Sequence, residues 1–158
     1  MTFDNPLYGL DFGWVHPYAF MEVYYNPNTM TLYIFREKYD RGVGQEKLAD
    51  ELKDYRNVSA ITADSANGEA IYYLQSQGFQ VFGAVKGPGS REKSYNWLAS
   101  RREIVIDPER CPNAAREFSE MEYEKTKDGH LMSTIPHIND DTVDAVRYAI
   151  ESIWRRGG

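Results

Sequence analysis

Three aspartates occupy positions where that residue is structurally awkward. Asp11 stands inside an apolar run, between Leu10 and Phe12 and flanked by Gly9 and Gly13. Aspartate is depleted in strands, and a buried one is costly unless it is paired or bound to a cation. Glycine on either side permits close backbone approach by a ligand. Asp64 ends the apolar stretch Ala60-Ile61-Thr62-Ala63 and precedes Ser65-Ala66-Asn67. Open sheets place their ligands at the C-terminal ends of parallel strands, although this Asp is also well suited to starting a helix. Asp144 lies one turn into the last amphipathic segment, behind Asp140 and Asp141. At 3.6 residues per turn, Asp140 and Asp144 are about 40° apart, with Asp141 about 60° from Asp144 on the other side. One helix end therefore offers several carboxylates to the same ion. The wheel also sets Asp144 off the stripe of Val143, Val146 and Ile150, beside Arg147 and Glu151. A solvated acidic first turn complementing the helix dipole is the plain alternative.

Carboxylates are the oxygen ligands that hard divalent ions prefer. Two such ions about 3.5–4 Å apart activate a water and stabilise a leaving alkoxide in phosphodiester hydrolysis. Other chemistries have less support. Ser65 and Ser90 have no positioned His partner, and His16, His130 and His137 lack zinc-site spacing. The lone Cys111 excludes an internal disulfide. Lys86, Arg91 and Lys93 straddle Gly87-Pro88-Gly89 and are candidates for gripping a phosphate backbone, with Arg101-Arg102 a weaker pair.

The elements that must bring the aspartates together fit in one domain of 158 residues. With 42% hydrophobic and 27% charged residues, no apolar run approaches the ~20 needed to span a bilayer. There is no basic-then-apolar leader either, so membrane and secreted readings are set aside. Eighteen basic against twenty-four acidic residues give a net charge of -6. That is the wrong sign for a stand-alone nucleic-acid binder, yet a metal site must concentrate carboxylates.

Leu7–Trp14, Ala19–Tyr25 and Thr31–Arg36 read as three strands in an antiparallel meander, the last two joined at Asn26-Pro27-Asn28. Gln45–Tyr55 is an amphipathic helix, Val58–Ala63 a strand, Asn67–Gln77 a helix stopped by Gly78, and Phe79–Val85 a strand parallel to the one before. A helix within 86–100, a strand at Ile104–Ile106 and a helix at Asn113–Glu122 follow. Asp128-Gly129 gives a hairpin signal within Tyr123–Ser133, and Asn139–Trp154 is a final helix capped by Asn139 or Asp140. The order is that of an α/β, ribonuclease H-like fold: a mixed sheet in which the meander precedes βαβ units, with helices on both faces. Asp11, Asp64 and Asp144 converge in it if the first and fourth strands are neighbours.

Gly9-Leu10-Asp11-Phe12-Gly13, Thr62-Ala63-Asp64-Ser65-Ala66 and the segment from Asn139 through Asp144-Ala145-Val146-Arg147-Tyr148-Ala149 resemble the C-terminal nuclease domain of tailed-bacteriophage terminase large subunits. Lys86-Gly87-Pro88-Gly89-Ser90, Glu117–Tyr123 and Lys127-Asp128-Gly129 are similar to its linking segments. The resemblance covers nearly the whole chain in order, and implies cleavage of concatemeric viral DNA during packaging in the cytoplasm of an infected bacterium. It maps metal-binding aspartates onto Asp11, Asp64 and Asp144. Many members carry His where this chain has Asp141, which adds a possible ligand here.

The implied cofactors are two Mg2+ or Mn2+ ions, with Asp11 bridging, Asp64 and Asp144 holding one each, and Asp141 contributing directly or through water. The implied partners are double-stranded DNA, an ATPase motor, the portal and the small terminase subunit. The motor's phosphate loop is absent from these residues, so the expectation is a single nuclease domain over 1–158. Rival readings are a Holliday-junction resolvase or other polynucleotidyl transferase of the same fold, an actin-like kinase half suggested by Gly-x-Asp-x-Gly, and a non-catalytic interaction module.

Overall fold

The structure, a computed structural model, describes residues 4–85, 87–128 and 141–155. Leu7–Asp11 (β1), Tyr18–Asn26 (β2) and Thr31–Asp40 (β3) form the expected antiparallel meander. Ile61–Ala63 (β4) runs parallel to β1, and Val81–Gly83 (β5) parallel to β4. Glu103–Ile106 (β6) joins β3 in parallel, giving the order β5-β4-β1-β2-β3-β6. The first and fourth strands are therefore neighbours.

Alternation along the strands separates two cores. Leu10, Phe20, Ile61, Ala63 and Val81 point to one face, under Gln45–Glu51 (α1) and Gly68–Ser76 (α2). Ala19, Met21, Val23, Leu32 and Ile34 point to the other. That face is covered by Ser90–Ala99 (α3), Pro112–Asp128 (α4) and Asp141–Ala149 (α5), with the short Glu151–Trp154 (α6) behind. Each large side chain fully buried in this way contributes about 1.5–3 kcal/mol. Among the described residues no helix is long and apolar enough to cross a membrane.

Several boundaries differ from the sequence reading. β1 stops at Asp11 rather than Trp14, because the chain turns at Gly13, where an added Cβ would lie 2.3 Å from the His16 carbonyl oxygen. The first helix ends at Glu51 and continues as a 3-10 turn, Lys53–Tyr55, which brings the Tyr55 ring to 4.6 Å from that of Phe20. α4 runs on to Asp128, so the first arm of the expected hairpin is helix. Its Glu, Met and Lys residues favour helix strongly enough to carry it up to the local turn signal. The second arm lies outside the described residues. The last helix is interrupted at Ile150.

The wheel reading of α5 fails more instructively. Every residue from Thr142 to Ile150 is buried, and so is Glu151. α5 is enclosed by the sheet on one side and by α3 and α4 on the others, so its polar face has no solvent to meet. The approach to the sheet is very close. A Cβ on Gly9 would stand 1.8 Å from the Ala145 carbonyl oxygen and 2.8 Å from the Ala149 nitrogen. Gly9 thus admits a helix, where the sequence had suggested a ligand.

Candidate metal centre

β1 and β4 end together. Leu10 is in register with Ala63, and the Asp64 N–H donates to the Leu10 carbonyl at 3.2 Å. Asp11 and Asp64 therefore stand side by side at the C-terminal ends of adjacent parallel strands. Side chains alternate along a strand, so Asp11 shares its face with Gly9 and Asp64 shares its face with Thr62, the residue paired with Gly9. This is the face on which α5 lies. The Asp64 Oδ1 also accepts the Ala66 N–H at 3.0 Å, closing the turn ahead of α2. Asp64 thus closes the turn that leads to α2 and does not itself cap the helix, whose N-cap position is Asn67.

α5 supplies Asp144 and, beside it, Tyr148. Burial comes first in pushing the Tyr148 phenol well above its ordinary pKa, followed by the charges of Asp144, Asp11 and Asp64; Arg147 opposes them. All three carboxylates thus lie within electrostatic reach of one buried phenol. Asp144 is itself held: Arg147 Nη1 donates to its Oδ1 at 2.5 Å. The guanidinium is fixed in turn, with Nε donating to Ser94 Oγ at 2.6 Å and its plane near the Tyr95 and Tyr148 rings.

Asp141 is the first residue of α5. Its charge acts on Glu117 and Tyr39. Asp140 lies outside the described residues, as do His130, His137 and Lys86. The N–H groups that a local cap would take are accepted instead by Glu117. Its Oε1 receives the Thr142 N–H at 2.8 Å and the Thr142 hydroxyl at 2.7 Å. Among the other basic candidates, Arg91 packs its guanidinium 4.8 Å from the centre of the Tyr95 ring, while Lys93 is exposed on the first turn of α3. Arg101 is locked against Trp97, 3.7 Å above the ring, with Nε on the Trp97 carbonyl.

An all-carboxylate donor set of Asp11, Asp64 and Asp144 suits a hard divalent cation. Among the described residues, however, no three acidic, His or Cys side chains are grouped closely enough to hold an ion as they stand. The fit to such an ion thus rests on the chemistry of the donors and on the side-by-side placement of Asp11 and Asp64.

The sequence matches the family described as Terminase RNAseH like domain over residues 11–152. The chain belongs to that family. It is 38% identical over 160 residues to the terminase large subunit of Bacillus phage SPP1, an alignment covering 99% of this chain and 38% of that protein. It is 33% identical over 145 residues to the PBSX phage terminase large subunit of Bacillus subtilis, covering 90% of this chain and 33% of that one. It thus spans about a third of the length of these relatives. The crystal structure of the SPP1 large terminase nuclease domain with bound Mn superposes with a TM-score of 0.83 at 36% identity, covering 95% of this chain and 87% of that one. The P22 large terminase nuclease domain shares the fold at a TM-score of 0.65 and 18% identity, covering 96% and 81%. The ribonuclease H-like fold expected from the sequence is therefore the observed one.

Sequence reasoning missed Glu117, Ser94, Arg147 and Tyr148. Two of them left a signal. Glu117 interrupts the apolar series Ala114, Phe118, Met121 on α4, and a carboxylate in an apolar stripe calls for a partner. Arg147 stands three residues after Asp144, the spacing of a helical ion pair.

Proposed function

We propose that this domain is a divalent-metal-dependent endonuclease that cuts concatemeric double-stranded viral DNA during genome packaging. The observation that carries the reading is the register of β1 on β4, which sets Asp11 and Asp64 side by side at the strand ends on the face where α5, the helix bearing Asp144, is packed. It is supported by a 36%-identical nuclease domain of the same fold that was crystallised with Mn. Family membership favours this reading over the resolvase, kinase and interaction-module alternatives.

Two ions, Mg2+ or Mn2+, would supply activation of the attacking water and stabilisation of charge on the leaving 3′-oxygen. Asp11, at the end of β1, would be the ligand shared between them. Asp64 would hold one from the β4 end and Asp144 the other from α5, with Asp141 contributing directly or through water. Tyr148 stays a neutral phenol beside the carboxylates, and Arg147 fixes the direction of Asp144. Lys86, Arg91 and Lys93 grip the DNA backbone. In the full protein an ATPase motor, the portal and the small terminase subunit bring DNA to this domain, in the cytoplasm of an infected bacterium.

The test is incubation of the domain with supercoiled plasmid and Mg2+ or Mn2+. Relaxed and linear products that vanish with chelator support the reading. Intact plasmid at every metal concentration, with the protein folded, overturns it for this domain.

A further inference from the structure

Glu117 is placed where a carboxylate has few reasons to be. It sits in the middle of α4 with its side chain 0% exposed. Burial, the largest influence on it, pushes the carboxyl up to about 7, against hydrogen bonds from Thr142 and from the Val143 N–H that favour the charged form. Those bonds come from the second and third residues of α5, which began at Asp141. They are the donors that an N-cap side chain ordinarily takes from within its own helix. Here the cap comes from a neighbouring helix.

The same device occurs one step earlier. Glu37, on β3, accepts the Asn113 N–H at 3.1 Å, its side-chain amide at 2.7 Å and the Ala114 N–H at 2.9 Å. These are the second and third residues of α4. The central sheet thus fixes the start of α4 through Glu37, and α4 fixes the start of α5 through Glu117. Asp141 and Asp144 flank Thr142 in that first turn. The rest of α5 is secured independently by its apolar contacts and by its seat on Gly9. Loss of the Glu117 contact should loosen the first turn while the remainder of α5 stays seated.

We propose that Glu117 is a positioning residue of the nuclease site, which fixes the turn bearing Asp141 and Asp144 by capping α5 from α4. The inference rests on the metal-nuclease reading of that site. Its consequence is specific: metal affinity and maximal rate depend on Glu117, and DNA affinity does not. Replacement of groups that orient a metal ligand commonly costs about 10–100-fold in metal affinity or activity.

The experiment measures half-saturating Mn2+, maximal plasmid-cleavage rate, KM for plasmid and melting temperature in four proteins: the parent, Glu117→Ala, Glu117→Gln and Thr142→Val. Glu117→Ala should raise half-saturating Mn2+ by about ten-fold or more and lower the maximal rate, with KM for DNA unchanged. Glu117→Gln keeps an acceptor oxygen for both Thr142 donors and should recover most of the loss. Thr142→Val, which retains the N–H and loses the hydroxyl, should fall between parent and Glu117→Ala; it carries the test with Glu117→Gln if the alanine variant does not fold. A parent that binds Mn2+ and cuts plasmid, with variants that differ from it only in melting temperature, overturns this inference alone. A folded parent that does neither overturns the nuclease reading and this inference with it.

Discussion

Arg147 and Asp144 form a buried ion pair across one turn of α5, Nη1 to Oδ1 at 2.5 Å, with side chains 9% and 12% exposed. A pair this far from water is costly to break one-sidedly, because the surviving charge is left without its partner. Asp144→Ala should therefore destabilise the protein by about 3–5 kcal/mol in denaturant melts. Asp144→Asn retains an acceptor for Arg147 and should cost clearly less. Both should abolish cleavage. A fully active Asp144→Asn variant would remove Asp144 from the site.

Glu117 gives the fold a pH signature that is measurable in chelator, without metal. Its carboxyl is raised from 4.5 to about 7 in the folded protein, chiefly by burial. Between those values the native state holds a proton that the unfolded chain has released. Its contribution to stability is accordingly present at acid pH and lost as pH rises through that window, by at most about 1.4 kcal/mol per pH unit. Glu117→Gln should flatten the decline in equilibrium unfolding curves from pH 4.5 to 7. An unchanged slope would contradict the assignment.

Gly9 is the residue on which the closeness of α5 to β1 depends. Gly9→Ala places a methyl group 1.8 Å from the Ala145 carbonyl oxygen, so the helix must move. The expected result is a loss of several kcal/mol or a failure to fold, far beyond the usual small effect of this exchange in a strand. A variant with parental stability and activity would mean that α5 does not rest on the strand.

DNA binding by the domain alone should be weak. With a net charge of -6 and roughly three phosphate contacts, affinity should fall with a log–log salt slope of about -2.7. Lys93→Ala should make that slope shallower by about one. The measurement is fluorescence anisotropy with unrelated duplexes, and tight binding that resists salt would contradict the expectation.

The chain order of elements, the meander and the parallel β4–β5 unit were legible because strand alternation and turn residues are local signals. The adjacency of β1 and β4 was legible only as a condition, since the sequence around Asp11 and Asp64 does not say which strands pair. The environment of Asp144 was not legible. A helix wheel assumes that one face meets water, whereas α5 is enclosed by the sheet, α3 and α4. For the same reason Glu117 was invisible as a cap: cap signals are read within about four residues of a helix start, and this one comes from 25 residues away.

The central claim, that Asp11, Asp64 and Asp144 form a divalent-metal site, is tested most directly by electron paramagnetic resonance of Mn2+ titrated into the folded protein. The parent should deplete the free-ion signal, and Asp11→Asn, Asp64→Asn and Asp144→Asn should each bind fewer ions or bind them more weakly. A free-ion signal identical with and without parent protein up to tens of millimolar Mn2+, or three variants that bind as the parent does, would contradict the account.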